Sequence, residues 1–308
     1  MRNMITDAVI RGISDIVGNN RVVAKEPMSK HTTFRIGGNA DIVIEPADEK
    51  QIAGVRSLLS NMGIPYVILG NGSNILVGDK GIRGAVIILG NAFSDCVAEG
   101  EKIIAKAGIK LSRLANFALE NELSGLEFAA GIPGTLGGAL YMNAGAYGGE
   151  MKQIVESVSY IDENGEIREK YVNDCRFGYR TSIFVQNPDW IITGCKLKLY
   201  KGNKEEIRSY MEDLAERRTS KQPLNFPSAG STFKRPEGHF AGKLIQDAGL
   251  MGYRVGGACV SEKHAGFVVN DRNASAKDVR ELIEQVKKKV YELSGVELEP
   301  EVKFIGEF

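Results

Sequence analysis

Apolar positions recur along this chain at helical and at strand periods, and the period changes several times. Ile5, Val9, Ile13 and Ile16 return every three to four residues, which predicts an amphipathic helix over 3–18. Residues 30–46 (KHTTFRIGGNADIVIEP) read as a turn followed by a strand at Ala40–Glu45. Glu49–Met62 has helical spacing and stops at Gly63. Pro65–Leu69 and Ala85–Leu89 are apolar runs too short for helices, so they predict buried strands on either side of a glycine-rich turn. Strand and helix alternate here, as in a small α/β subdomain.

From about residue 91 the pattern changes. Lys102–Ala107, Val155–Ile161, Ile167–Tyr171 and Trp190–Tyr200 read as strands, with Asp162-Glu163-Asn164-Gly165 as a hairpin turn. Leu111–Asn121 reads as a helix, and a long glycine-rich segment, Gly131–Gly149, interrupts this α+β stretch. Lys204–Lys221 is highly charged, helical in pattern and ends before Pro223. Beyond it come a loop (FPSAGSTFKRPEG), a helix near Ala241–Ala248, strands near Ala258–Val260 and Phe267–Val269, and a long helix, Ala276–Ser294. The tail LEPEVKFIG follows. These changes divide the chain at 1–90, 91–203 and 204–308, with neither tandem repeats nor low-complexity tracts.

Composition adds exclusions. Hydrophobic residues are 43% and charged residues 25% of the 308, which excludes wholesale disorder. No apolar run approaches the ~18 residues of a membrane helix. Lys+Arg and Asp+Glu balance at 39 each, which argues against a chain that holds nucleic acid by its charge. Cys96, Cys175, Cys195 and Cys259 form no CxxC pattern, and His31, His239 and His264 form no HxxxH pair, so no metal site is expected. Charges run through the first 18 residues with no unbroken apolar stretch. That pattern predicts no secretory signal and a cytoplasmic protein with reduced thiols. Glycine is the outlier: 36 residues, with the excess clustered where backbone must turn sharply or approach a ligand.

Five segments could carry chemistry. Gly70, Asn71, Gly72, Ser73 and Asn74 follow a buried strand. Such a turn either converges amide donors on an anion or simply joins two strands. It is neither a Walker A loop nor GxGxxG. The second segment, Gly131-Ile132-Pro133-Gly134-Thr135-Leu136-Gly137-Gly138, continues to Asn143, Gly145 and Ala146. Each glycine costs a helix ~1 kcal/mol relative to Ala, so either an extended ligand or tight inter-subdomain packing must compensate. Two such loops suit a dinucleotide, one for a pyrophosphate and one for a ring system. The third, RFGYRTSIF at 176–184, offers Arg180 for bidentate contact with a carboxylate, or else an exposed charge on a turn. The fourth, SAGSTFKRP at 228–236, holds Ser231, which in this setting is ordinarily a helix N-cap. It lacks the pattern of a nucleophile elbow. The fifth, Leu298-Glu299-Pro300-Glu301-Val302, has carboxylates of the kind that usually decorate a surface.

In order, KHTTFRIGG, LGNGSNIL, AGIPGTLGGA with NAGAYGGE, RFGYRTSIF, SAGSTFKRP and LEPEVKFIG resemble the UDP-N-acetylenolpyruvoylglucosamine reductase family, from about residue 30 onward. The resemblance implies an α+β chain. Its FAD-binding domain would have two subdomains of the vanillyl-alcohol-oxidase/p-cresol-methylhydroxylase type, followed by a C-terminal substrate-binding domain. It implies an enzyme of peptidoglycan precursor synthesis that holds FAD non-covalently. NADPH would reduce the flavin, and the flavin the enolpyruvyl group of UDP-N-acetylenolpyruvoylglucosamine, giving UDP-N-acetylmuramate. The cofactor contacts would come from the two glycine segments. By matched motif, Arg180, Ser231 as proton donor and Glu301 are catalytic. Tyr179, Arg180, Lys221, Gly230 and Ser231 contact substrate. Arg235 stands where some members carry asparagine, and no role is carried over to it. Only 51 positions separate Arg180 from Ser231, which suggests the class lacking an extra tyrosine-bearing loop.

Hydride addition to C3 of the enolpyruvyl group would leave negative charge at C2 and its carboxylate. Arg180 at that carboxylate would stabilise charge as it forms. Ser231 would then protonate C2, with Glu301 orienting the intermediate or donating the proton itself. Two other readings predict different behaviour. Another FAD oxidoreductase on this scaffold, such as a sugar oxidase, would use oxygen. A non-catalytic nucleotide-sugar-binding protein would carry no flavin.

Overall fold

A computed structural model describes residues 4–308. The first helix is Asp7–Val17, started by Thr6, whose hydroxyl accepts from the Val9 amide. Its buried side carries Val9, Ile13 and Val17, with Ile5 buried just ahead. Val17 takes the place expected of Ile16 because the buried residues step by four, and residue 3 of the expected span lies outside the described residues. Glu49–Asn61, capped by Asp48, packs against this helix. Tyr66–Leu69 pairs in parallel with Ile82–Ile88, in register from Tyr66↔Ala85 to Leu69↔Ile88.

The chain sorts into two units, each discontinuous in sequence. One gathers the residues up to Ala24 with Ile42–Asn71 and Gly84–Arg218; the other gathers Lys25–Asp41, Gly72–Arg83 and Thr219–Phe308. The division therefore falls between Asn71 and Gly72, inside the first glycine segment.

The first unit contains a five-stranded antiparallel sheet. Its order is Ile167–Tyr171, Val155–Ile161, Ile191–Lys198, Lys102–Lys106 and Cys96–Glu99. The expected hairpin joins the first two of these, and the Asp162 carboxylate accepts from the amides of Asn164 and Glu166. Ile13, Ile52, Leu59, Phe93, Ile103, Leu114, Leu136, Val158, Phe184 and Leu197 belong to one core. Burying each such side chain contributes about 1.5–3 kcal/mol before entropy is counted.

The second unit has its own core, including Phe34, Leu76, Phe233, Ile245, Val260, Leu282, Ile283, Val286 and Val302. The strands Arg254–Val255, Ala258–Val260 and Val268–Asn270 form an antiparallel sheet against the helix Ala276–Ser294. Ile75–Val77 pairs in parallel with Lys303–Ile305. The sequence pattern predicts no strand at 75–77. Three residues after a glycine turn give no period, and their partner lies 228 positions away. No described helix is long and apolar enough to cross a membrane.

Candidate active site

Gly70 and Asn71, the part of the first glycine segment that lies in the first unit, meet the second glycine segment there. A Cβ on Gly70 would come within 2.1 Å of the Thr135 Oγ1. The Asn71 side-chain amide donates to the Pro133 carbonyl at 2.6 Å. The second segment is also tied from behind: Leu111 donates to Gly134 O at 3.0 Å, Leu136 to Ile109 O at 2.9 Å and Gly137 to Ala107 O at 2.8 Å. A Cβ on Gly137 would stand 3.0 Å from that of Ala107, so glycine permits this close approach. Gly138 differs. It is exposed, and within 4 Å its Cβ would meet only Thr135 Oγ1, at 3.8 Å. The loop is thus anchored on one side and presents bare backbone on the other. Gly131 opens on a pocket of about 450 Å³ lined by Phe128, Tyr147, Met211, Leu214 and Arg218 among others. Burial pulls the Arg218 guanidinium below its ordinary pKa, with Tyr147 opposing that shift.

Arg180 is held by the far end of the same glycine segment. Gly178 and Thr181 exchange amide–carbonyl bonds at 3.1 and 3.3 Å, leaving Tyr179 and Arg180 at the tip of a tight hairpin. Arg180 has φ +54°, a conformation uncommon for a residue with a Cβ. Two bonds fix the hairpin's base. Buried Ser182 donates to the Tyr141 carbonyl at 2.6 Å, and the Asn143 amide donates to the Gly178 carbonyl at 3.1 Å. Asn143 also donates to the Glu150 carboxylate and accepts from the Lys152 amide. Its buried side chain is therefore committed to the protein's own framework. The Arg180 guanidinium lies 5.3 Å from the Tyr179 ring centroid.

In the second unit, Ser231 and Glu301 come from adjacent backbone segments. Thr232 accepts from the Glu301 amide at 2.8 Å, Phe233 bridges Pro300, and Lys234 donates to Glu299 O at 2.8 Å. Thr232 is buried: its amide donates to Gly266 O at 2.8 Å and its hydroxyl accepts from the Val268 amide at 2.9 Å. Thr33 donates to Ser228 O at 2.6 Å. The loop is therefore tied down on both sides of Ser231, which is itself exposed beside Gly230 at φ +74°. Ser231 caps no helix, because the next helix begins at Ala241 with Phe240 ahead of it. Glu301 is buried instead of decorating the surface, because residues 299–301 pair with the Ser231 loop. Sequence reasoning missed Thr33, Thr232 and Ser182; each is a hydroxyl whose partner lies far along the chain.

The first glycine segment splits in its roles. Gly72 packs against residues 31–32, where a Cβ would approach His31 O to 2.0 Å. The Asn74 side chain donates to the Glu301 carbonyl at 3.2 Å. Lys221 is the exposed last residue of its helix, and the Arg235 guanidinium stacks 4.0 Å from the Phe240 ring centroid. Burial pushes the Cys175 thiol up to about 11 and lowers the pKa of the His264 imidazole, whose Nδ1 accepts from the Gly266 amide. Among the described residues, no group of three or more His, Cys, Asp or Glu side chains is placed to hold a metal.

A UDP-N-acetylenolpyruvoylglucosamine reductase of Caldanaerobacter subterraneus subsp. tengcongensis is 50% identical over 303 residues, 98% of this chain and 100% of that one. The chain belongs to the UDP-N-acetylenolpyruvoylglucosamine reductase family. Residues 222–305 match the C-terminal domain described for that reductase, and residues 40–170 match an FAD binding domain. The crystal structure of UDP-N-acetylenolpyruvylglucosamine reductase from Thermus caldophilus superposes with TM-score 0.78 at 35% identity, covering 92% of this chain and 97% of that one. A grass pollen allergen with glucose dehydrogenase activity superposes with TM-score 0.51 at 15% identity, over 64% of this chain and 44% of that one. That likeness is one of fold alone. The α+β fold of a reductase of this family, with an FAD-binding domain and a C-terminal domain, is thus established. The residues present fit FAD: the anchored 131–138 loop leaves an open face at Gly138 that a side chain would fill.

Proposed function

We propose that this chain reduces UDP-N-acetylenolpyruvoylglucosamine to UDP-N-acetylmuramate with NADPH, in the cytoplasm, as a step of peptidoglycan precursor synthesis. The observation that supports the residue assignments is the backbone pairing of Thr232 with Glu301, which brings the loop carrying Ser231 against the segment carrying Glu301. When bound, FAD supplies the hydride carrier between NADPH and C3 of the enolpyruvyl group. The backbone of Gly70, Asn71 and residues 131–138 would hold it, without a covalent link. The proposed division of labour gives FAD binding to subdomains at 1–90 and 91–203 and substrate binding to 204–308, although Lys25–Asp41 and Gly72–Arg83 share a unit with Thr219–Phe308, and residues 204–218 belong to the other unit.

Arg180 is assigned to the charge that grows on the substrate carboxylate. Its fixed hairpin lets the guanidinium act without reorganising, which is the condition for electrostatic catalysis. Ser231 is assigned to protonate C2. Its hydroxyl is exposed while the backbone on either side is tied down. A serine is a weak acid, but a carbanionic C2 is a far stronger base, so the transfer runs downhill. Glu301 is assigned to orient that intermediate. Tyr179, Lys221 and Gly230 are assigned to substrate contact.

Anaerobic spectra test this reading. NADPH should bleach the flavin band of the wild type, and the enolpyruvyl substrate should restore it. Ser231→Ala should bleach as the wild type does and recover about 10²–10⁴ times more slowly. Normal recovery in that variant removes Ser231 as the acid. A wild-type band that returns only with oxygen makes the protein an oxidase, and no band after incubation with FAD leaves a binding protein.

A further inference from the structure

Asn74 grips the backbone of residues 301–303 at two points. Its main-chain oxygen accepts from the Lys303 amide at 3.0 Å, and its side-chain Nδ2 donates to the Glu301 carbonyl at 3.2 Å. The side chain thus adds a rung to the parallel ladder that begins at Lys303↔Ile75. On its other side, the Glu301 amide donates to Thr232 O at 2.8 Å. Both peptide groups of Glu301 are therefore fixed, one by the Ser231 loop and one by Asn74. Asn74 is itself seated by Gly72, whose packing against the 31–32 backbone leaves no room for a Cβ.

We propose that Asn74 is a positioning residue for Glu301, and that this side chain, grouped with the cofactor contacts by its place in the glycine segment, serves the protonation half of the reaction. The inference rests on the functional reading above. The chemistry requires an amide: an aspartate has the same shape but would set an oxygen against the Glu301 carbonyl, and a serine cannot span the distance.

Asn74→Asp and Asn74→Ala, each alone and combined with Glu301→Gln, test the assignment in stopped-flow half-reactions. Each single Asn74 variant should hold FAD and bleach with NADPH as the wild type does. Recovery with the enolpyruvyl substrate should slow by about 10- to 100-fold, the scale of a misplaced catalytic group. In the Glu301→Gln background the same change should add less than about twofold, because residues acting through one another are not additive. Losses that multiply in the double variant overturn the proposal. Weakened FAD affinity or slowed bleaching in both single variants also overturns it, and returns Asn74 to the cofactor. If Asn74→Asp does not fold, Asn74→Ala decides by the same cycle. A wild type that the substrate fails to reoxidise defeats the functional reading instead, which separates the two failures.

Discussion

Gly70 and Gly138 lie in neighbouring segments and do different work. Gly70 packs tightly on the buried Thr135 side chain, whose hydroxyl oxygen a Cβ would overlap, whereas the space beside Gly138 is open. Gly70→Ala should destabilise the apoprotein by about 1–3 kcal/mol, as overpacking does, read by urea unfolding. Gly138→Ala lies within the helix Leu136–Tyr141 and should leave apoprotein stability unchanged or higher, while weakening FAD binding in a fluorescence titration. Wild-type FAD affinity in Gly138→Ala would rule out that face as part of the cradle. Arg180, Ser231 and Glu301 stand out at this scale as candidates because each sits in a short motif. The bonds of Asn74, Thr232 and Ser182 were not, because an amide or hydroxyl looks the same in sequence whether it meets a ligand, water or a distant carbonyl.

At the scale of elements, the helix Ala276–Ser294 was read to both its ends from the sequence pattern. Its start is a capping box: Ser275 accepts from the Asp278 amide, and the Asp278 carboxylate accepts from the amides of Ser275 and Gly257. Burial alone would raise the Asp278 pKa, but those two amides, the Ser275 hydroxyl and Lys277 together hold it below the ordinary value. The unfolded chain has a value of ~3.9. The carboxylate therefore contributes stability that is fully present above that value and is lost as pH falls through the lower, folded one. Wild type should lose more unfolding free energy than Asp278→Asn as pH falls from about 7 to below the ordinary carboxylate value. Equal losses would remove Asp278 from the acid response. Short elements were less legible. Cys96–Glu99 and Ile75–Val77 carry too few residues for a period, and their partners supply the order they lack alone.

At the scale of the whole molecule, FAD should act as a folding ligand as well as a reactant. Protein stripped of flavin should melt lower in calorimetry, and FAD at about 100 times its Kd should restore ~2.7 kcal/mol. No gain in Tm would show that the cradle does not hold FAD in the folded state. Alternation of strand and helix, the hairpin turn, the charged helix Lys204–Lys221 and the order of the family motifs were all determined by the sequence itself. Each depends on side-chain period or turn chemistry within a few residues. Tertiary structure decided which segments share a unit, so that Lys25–Asp41 and Gly72–Arg83 group with the C-terminal residues. It also decided that Glu301 is buried beside the Ser231 loop and that Asn74 reaches a carbonyl 227 residues away. A local pattern states that a strand or a polar side chain needs a partner; only the folded backbone brings a particular one within hydrogen-bonding distance.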